Sequence, residues 1–183
     1  MKINMLIIAA AAASLPLQVA QAQSPSINAQ LAATDIAGFN TGVALMVGYE
    51  HPIPALHENF SVEGELSTTI MNPESTYTNF FGSYKEEMSY YTAGVYAKYT
   101  HPINQDFSVF GRVGVHYENI THENSFNNSS VTQTAVGRNL GVGADYNFTP
   151  KMAVTVGATL IDTDVNIYSS DIKHISVGMK FKL

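Results

Sequence analysis

The sequence contains no cysteine and few charged side chains. Of its 183 residues, 13% are charged, about half the fraction usual for a soluble globular domain, whereas 45% are hydrophobic. Without cysteine the chain has no disulfide framework, no zinc–thiolate site and no thiol nucleophile. Its net charge of −6 provides no basic surface for nucleic acid. These shortages exclude a disordered chain, a helical bundle with charged outer faces and a nucleic-acid-binding protein.

The chain also lacks a long apolar run beyond its N-terminus. Lys2 precedes an apolar, alanine-rich stretch over Met5–Leu17, and Ala20 and Ala22 then follow at the spacing of a signal-peptidase site. This stretch is shorter than the roughly 20 residues that a membrane-spanning helix needs, which disfavours an N-terminal anchor. Residues 1–22 are therefore predicted to be a cleaved signal peptide of the Sec pathway, and residues 23–183 the mature domain. Membrane residence of that domain would require strands.

Alternation with period two dominates the rest of the chain. From Phe107 to Tyr117 the odd-numbered positions are mostly bulky and apolar, while the even-numbered positions include serine, arginine and histidine. Such alternation indicates strands with one apolar face, and no window has a comparable helical period. Seven strands are predicted in this way, over residues 41–51, 59–71, 89–100, 106–119, 135–148, 151–162 and 172–183. An eighth, of weaker character, is predicted over residues 27–33, because a closed bacterial barrel needs an even number of strands.

The connections between the strands are of two kinds. Short turns containing proline follow Tyr49, Tyr99 and Tyr146, whose spacings of 50 and 47 residues mark a weak hairpin repeat. Longer polar loops are predicted over residues 72–89, 120–133 and 162–171. Short turns at one end and long loops at the other are typical of outer-membrane barrels. The sequence therefore predicts an all-β fold, an eight-stranded antiparallel up-and-down transmembrane β-barrel.

The two parities of the strands indicate which surface faces lipid. In a soluble ligand-binding barrel the apolar parity faces inward, whereas in a transmembrane barrel it faces the membrane. Here the apolar parity is bulky, and the other parity is mostly small residues and isolated charges, which suits the narrow lumen of eight strands. Aromatic residues of the apolar parity near the short turns are predicted to form a lipid-interface girdle: Tyr49, Phe60, Tyr99, Phe107, Tyr146, Phe148 and Phe181.

Two segments near the C-terminus resemble a known family. Residues 141–150 read GVGADYNFTP, and the last strand ends in VGMKF over residues 177–181. Together with the signal peptide, they resemble the OmpA-type and Ail/opacity-type eight-stranded outer-membrane barrels over essentially the whole mature chain. The resemblance implies the outer membrane of a Gram-negative bacterium, with membrane lipid and lipopolysaccharide as partners. It also implies recognition by the barrel-assembly machinery, for which Phe181 has the expected parity although the chain ends in Leu183.

Charged residues of the inward parity indicate a filled lumen. Glu63 and Glu65 lie on one predicted strand, and a lysine and an arginine follow on the next two. An unpaired ion in so narrow a space is costly, so we expect a paired network that plugs the barrel and leaves no continuous water path. The alternative is that some of these long side chains reach periplasmic water. The predicted network consists of Glu50, Glu63, Glu65, Lys98, Arg112, Asp145 and Lys180.

Residues suited to catalysis or metal binding form no compact motif. The six histidines lack the ligand spacing of a zinc site. Gly141 and Gly143 lack the remainder of a phosphate-binding loop. No catalytic residue, metal ion or cofactor is therefore expected. A barrel enzyme stays open as an alternative, because a catalytic arrangement is recognised by its geometry.

The function indicated is that of a structural or interaction barrel, either adhesion-type or supporting envelope integrity. Loops on a rigid scaffold commonly carry recognition, so we expect contacts with host or envelope proteins there. Aromatic residues in the predicted loops supply contact surface: Tyr77, Phe80, Phe81, Tyr84 and Phe126. A narrow outer-membrane channel or small-molecule conduit is the alternative from another class.

Overall fold

The computed structural model describes residues 24–80, 82–162 and 171–183. The predicted signal peptide lies outside these residues. In these ranges no helix has the length and apolar character needed to cross a membrane. The strands of the described residues are β1 (Ser26–Ile36), β2 (Gly42–Pro52), β3 (Phe60–Met71), β4 (Glu74–Asn79), β5 (Gly82–Pro102), β6 (Phe107–Asn124), β7 (Ser129–Thr149), β8 (Met152–Asp162) and β9 (Ile172–Lys182).

All of these strands except the short β4 close into an antiparallel barrel. Sequence neighbours pair with each other, β3 pairs with β5, and β9 pairs with β1. The seam between β1 and β9 runs from Ser26 opposite Lys182 to Ile36 opposite Ile172, so the weakly marked first strand is paired along its whole length. A closed ladder leaves no open edge in the barrel wall. The predicted eight-stranded barrel is confirmed.

Buried and exposed residues alternate along the strands, so that large apolar side chains point outward, as in an outer-membrane barrel. In β1, buried and exposed residues alternate over all 11 positions. Large apolar residues such as Leu31 and Val95 are exposed on the outside, a surface that acyl chains would cover in a membrane. The seven aromatic residues of the predicted girdle all lie on this outward face, beside the short turns or the C-terminus.

Two of the predicted polar loops, residues 72–89 and 120–133, are largely β-structure, which corrects the sequence analysis, whereas residues 163–170 of the third lie outside the described residues. The strand β4 pairs with β5 from Glu74 opposite Glu87 onward. The strands β6 and β7 stay paired as far as Asn124 opposite Ser129, so residues 125–128 alone form their turn. These segments lack an apolar parity, and the backbone ladder extends where the side-chain pattern gives no signal. We call residues 74–79, 82–90, 117–124 and 129–136 the protruding sheet.

The protruding sheet orients the barrel. Turns of residues 53–59, 103–106 and 150–151 lie at the end where β1 begins and β9 ends, and the protruding sheet extends from the opposite end. Outer-membrane barrels have their longer segments on the extracellular side, so the protruding sheet lies at the extracellular end. Its strands are adjacent in the order β4, β5, β6 and β7, which makes one side of the barrel wall taller than the other.

Candidate functional site

The periplasmic half of the lumen contains a continuous network of ion pairs. Glu50 on β2 accepts hydrogen bonds from Lys98 Nζ at 2.9 Å and from Lys180 Nζ at 2.8 Å. Lys180 also donates to Asp145 Oδ2 at 3.0 Å. Lys98 in turn donates to Glu63 Oε2 at 3.0 Å. These contacts join strands β2, β3, β5, β7 and β9 across the lumen.

Arg112 on β6 completes the network. Its Nη1 atom donates to Glu63 Oε1 at 2.8 Å and to Glu65 Oε2 at 2.6 Å. Its Nη2 atom donates to Thr159 Oγ1 at 2.9 Å. Glu63 is therefore held between Arg112 and Lys98. The structure thus brings all seven residues named for the lumen network into one connected group.

Two aromatic rings that the sequence analysis did not single out line this network. The guanidinium carbon of Arg112 lies 4.2 Å from the centroid of the Tyr96 ring, and Lys98 Nζ lies 4.1 Å from that of Phe110. The Tyr96 hydroxyl also donates to Glu65 Oε1 at 3.0 Å. Ring faces attract cations and exclude water. The inward parity of both aromatic residues is the sequence signal that could have identified them.

The ion network is sealed from solvent. Side-chain exposure ranges from 1% at Glu63 to 10% at Lys180, which does not fit side chains that reach into periplasmic water. Four carboxylates face three cations, so the fully ionised group is negative by one charge. A neighbouring cavity, lined in part by Asn28, Thr155 and Ser176, has room for about one water molecule. The network and its neighbours therefore fill this half of the lumen.

The extracellular half of the lumen contains a cluster of apolar side chains beside buried polar residues such as His116 and Glu118. Met46 on β2 and Met88 on β5 are buried in this cluster, and the partly buried Phe39 and Ile120 pack against it. The sequence analysis expected mostly small or polar inward residues, so this filling corrects it. We call the cluster the apolar plug, and its members are Ala32, Ile36, Ala44, Met46, Met88, Tyr90, Ile161 and Ile172.

Polar contacts connect the apolar plug to the ion network. The Tyr90 hydroxyl lies 2.6 Å from His174 Nε2 and 2.9 Å from Thr34 Oγ1. The rings of Tyr90 and His174 stack with their centroids 5.8 Å apart. Thr159, which accepts a hydrogen bond from Arg112, lies directly opposite His174 in the ladder between β8 and β9. The two fillings are therefore contiguous along the lumen.

The two histidines buried in the lumen form no catalytic arrangement. His116 Nε2 lies 3.3 Å from Glu118 Oε2, and His174 contacts Tyr90, whose hydroxyl is sealed within the apolar plug. Nucleophilic catalysis needs an accessible hydroxyl or thiol that is hydrogen-bonded to such a base. In the described part of the chain, neither histidine contacts a serine hydroxyl. The same residues contain no group of three His, Cys, Asp or Glu side chains placed to hold a metal ion.

The protruding sheet carries an exposed group of aromatic residues. The rings of Tyr77 and Tyr84 stack with centroids 5.3 Å apart, and Tyr84 lies 5.5 Å from Phe126. Phe126 is exposed by 65% and Phe80 by 98%, and both lie in turns. Tyr77 and Tyr84 lie on β4 and β5, which corrects their placement in loops, and Phe81 lies outside the described residues. We call Tyr77, Tyr84 and Phe126 the aromatic cluster.

The protruding sheet that carries the aromatic cluster has mainly negative charge. Lys85 forms ion pairs with Glu74 and with Glu87, the second at 2.7 Å. The hydrogen bonds to Glu74 and Glu87 raise the pKa of Lys85, and the hydrogen bond from Lys85 lowers the pKa of Glu87. Glu86 and Glu123 add further carboxylates, whereas Lys85 is the single lysine or arginine of the protruding sheet. This end of the barrel is therefore acidic.

Comparison with known sequences shows that one protein-family model matches nearly the whole chain. The model of a family described as an outer membrane protein beta-barrel domain matches residues 6–181. Comparison with curated proteins gave no significant match. The family match covers nearly the whole chain and therefore the barrel, the ion network and the protruding sheet together.

Solved structures with a similar fold include proteins from Neisseria, Pseudomonas aeruginosa and Yersinia pestis. Neisserial surface protein A is 13% identical, with a TM-score of 0.67, over 87% of this chain and 97% of that one. OprG from Pseudomonas aeruginosa is 14% identical, with a TM-score of 0.62, over 88% and 96%. Ail, the attachment invasion locus protein of Yersinia pestis, is 13% identical, with a TM-score of 0.55, over 87% and 97%. At such identities the likeness establishes the fold.

Proposed function

The chain belongs to the family of outer membrane protein β-barrel domains, and from this premise we propose that it is a non-conducting barrel that acts through its extracellular end. The filled lumen is the observation that supports this most. A channel needs a continuous water path, whereas here the ion network and the apolar plug follow one another along the same lumen. The part of the barrel left for contact with other molecules is its outer surface and its extracellular rim.

The aromatic cluster is the proposed contact surface. Large aromatic side chains dominate the binding energy of many protein interfaces. Phe126 stays 65% exposed even though it packs on Tyr84, and the four paired strands beneath it provide a rigid support. An adhesion-type contact with a host or envelope protein fits this arrangement better than transport or catalysis.

The charge of the protruding sheet narrows the class of partner. Ail was solved in complex with the heparin analogue sucrose octasulfate, which is a polyanion. In this chain Glu74 and Glu87 pair with Lys85, the single lysine or arginine of the protruding sheet, and Glu86 and Glu123 add negative charge, so a polyanion would be repelled. We therefore expect a neutral or basic partner with an apolar contact surface.

The export and assembly machinery and the surrounding lipids complete the proposal. We expect export through the Sec pathway, directed by the predicted signal peptide, and insertion by the barrel-assembly machinery. Membrane lipid and lipopolysaccharide would surround the apolar outer face, where residues such as Leu31 are exposed. Neither a cofactor nor nucleic acid is part of the proposed function.

Adherence of cells that display the barrel tests the proposed contact surface. Bacteria carrying the wild-type protein are compared with a Tyr77→Ser/Phe126→Ser variant for binding to host cells and to immobilised matrix proteins. The matched control is Leu56→Ser, because Leu56 is an exposed apolar residue in the turn at the opposite end. We expect a loss of about tenfold or more for the double variant and none for the control. Equal adherence of all three proteins would contradict the proposed role of the aromatic cluster.

Liposome swelling separates this function from the conduit alternative. Vesicles containing the wild-type barrel should admit small sugars no faster than vesicles without protein. The reason is that the ion network leaves room for about one water molecule beside it. Rapid, size-dependent swelling would instead favour the conduit.

A further inference from the structure

The inner face of the protruding sheet, which continues the lumen side of the barrel wall, carries the aromatic cluster in one row. On β5 the lumen-facing positions are even-numbered, since Met88 and Tyr90 are buried in the apolar plug. Tyr84 has the same parity, and its ladder partner on β4 is Tyr77. Phe126, in the turn after β6, packs against Tyr84 from the side of β6. The three rings therefore form one continuous aromatic row across the sheet.

A single carboxylate lies in the next row of the same face, about 7 Å along the strands. In this row Glu86 lies opposite Ser75 on β4 and opposite Asn124 on β6. Asn124 Nδ2 donates to Glu86 Oε1 at 2.8 Å, and His122 Nε2 lies 3.5 Å from Glu86 Oε2. In the described part of the chain, no lysine or arginine pairs with this carboxylate. The Glu86 side chain is 16% exposed, so its neighbours fix its position and leave it open to contact.

The charges on the outer face of the same strands are distributed differently. There Glu74 lies opposite Glu87, and Lys85 pairs with both of these carboxylates. Lys85 and Glu87 have the opposite parity to Tyr84 on β5, so they point away from the aromatic row. The lysine therefore reduces the negative charge of the outer face, whereas the inner face retains the charge of Glu86.

We propose that the aromatic cluster and Glu86 together bind an arginine side chain of the partner protein. This inference rests on the proposed contact function of the aromatic cluster and names the group that the cluster recognises. A guanidinium is planar and weakly hydrated, stacks on aromatic rings and donates hydrogen bonds to carboxylates. Tyr77 and Phe126 are exposed for the stacking contact, and Glu86 provides the carboxylate one row away.

Other side chains of a partner fit this face less well. A lysine ammonium is compact and strongly hydrated, and it has no planar group to stack on the rings. An acidic side chain would be repelled by Glu86. A neutral apolar side chain would pack on the rings but would cover Glu86 without supplying a cation, and covering an unpaired carboxylate is costly. Arginine is the side chain that satisfies both the aromatic row and the carboxylate.

NMR titration of the purified barrel in a non-ionic detergent tests the proposal with three peptide probes. Each probe is an acetylated and amidated tripeptide with leucine at both ends and arginine, citrulline or lysine in the middle. Citrulline keeps the planar shape of arginine but has no charge. Wild-type protein is compared with Glu86→Gln, and the matched control is Glu87→Gln, which removes the neighbouring carboxylate on the outer face. Shifts of the tyrosine ring signals give the dissociation constants.

We expect wild-type protein and Glu87→Gln to bind the arginine peptide about tenfold more tightly than the citrulline peptide, and Glu86→Gln to lose this preference. Equal binding of these two peptides by wild-type protein, or no saturable binding of the arginine peptide, overturns the proposal even if Glu86→Gln fails to fold. A preference that survives in folded Glu86→Gln also overturns it. Lysine binding as tight as arginine binding would overturn the assignment to a guanidinium and indicate a site for cations in general.

The adherence assay separates this inference from the proposed function on which it rests. Cells that display Glu86→Gln should adhere less well than cells with wild-type protein or with Glu87→Gln. Full adherence of the Glu86→Gln cells, together with a loss for Tyr77→Ser/Phe126→Ser, would retain the contact surface but overturn the recognition of arginine.

Discussion

The two halves of the lumen are closed by opposite means. In the periplasmic half, Glu63 is held between Lys98 and Arg112, and each ion depends on the charge of its partners. In the extracellular half, Met46 and Met88 belong to a cluster that fills space by apolar packing, beside the buried pair of His116 and Glu118. Removing one member of a buried ion pair leaves an uncompensated charge, whereas shortening an apolar side chain leaves a cavity. A single substitution should therefore lower the free energy of unfolding more in the periplasmic half than in the extracellular half.

The largest expected effect comes from cutting the strand that supplies one cation and the closing seam. Deletion of Lys180–Leu183 removes the partner of Glu50 and Asp145 together with the pairing of Phe181 with Ile27. We expect no folded barrel in the outer membrane, measured as loss of heat-modifiable migration on SDS gels. Deletion of residues 125–128 with a two-residue replacement turn is the control at the extracellular end and should still assemble. Normal yield of the C-terminal deletion would contradict the importance of this seam.

Removal of Arg112 comes next. Arg112→Met leaves Glu63 and Glu65 buried with too few cations, and we expect a loss of roughly 3–5 kcal/mol in the free energy of unfolding. Denaturant titration of the refolded protein in detergent measures this loss.

Restoring the stability of the Arg112→Met variant distinguishes the effect of lost charge from the effect of lost side-chain volume. Adding Glu63→Gln and Glu65→Gln removes the stranded charges, so stability should recover by at least half of the loss. Lys151→Met, at an exposed lysine in the turn between β7 and β8, is the control and should leave stability unchanged. Failure of the rescue would mean that packing, not charge, determines stability in this half.

A single truncation in the apolar plug should cost less. Met46→Ala is expected to lower the free energy of unfolding by about 2–3 kcal/mol, because the buried side chain leaves a partly collapsed cavity. Met46→Leu should restore most of the stability, since it conserves volume. The same denaturant titration gives both values. A loss in the free energy of unfolding as large as that of Arg112→Met would contradict the expected difference in sensitivity between the two halves.

The smallest expected effect lies where the two halves meet. Tyr90→Phe removes the hydroxyl that contacts His174 and Thr34 but keeps the stacked ring. We expect a loss of about 1–2 kcal/mol from the unmade hydrogen bonds. His174→Phe in the same background should add little, because the polar contact is already lost. Additive losses from the two substitutions would show that the contact does not couple the halves.

The sequence predicts the barrel wall well because the lipid-facing parity is bulky and regular. It also places the lumen charges on the inward side, since Glu63, Lys98 and Arg112 all have the polar parity. Distance along each strand from the short turn also indicates that these charges lie in the periplasmic half of the lumen. The apolar cluster at the other end is absent from the sequence analysis, because its members meet only through the register of strands distant in sequence.

The extensions of β5, β6 and β7 escaped prediction for a different reason. Thr121 and Thr132 face each other across the ladder, yet both sides of these strands are polar and no alternation marks them. The stacking of Tyr77 on Tyr84 likewise depends on the pairing of β4 with β5. Side-chain pattern identifies strands only where the environment differs between their two faces.

Planar-bilayer recording tests most directly the claim that two independent fillings close the lumen. The wild-type barrel is compared with a plug variant, Met46→Ala/Met88→Ala, a network variant, Glu50→Ala/Lys98→Ala, and their combination. The account predicts no steady conductance for wild-type protein or for either half-variant, and a conducting pore only for the combination. A large, stable, ohmic pore in the wild-type protein would contradict it and would favour a channel.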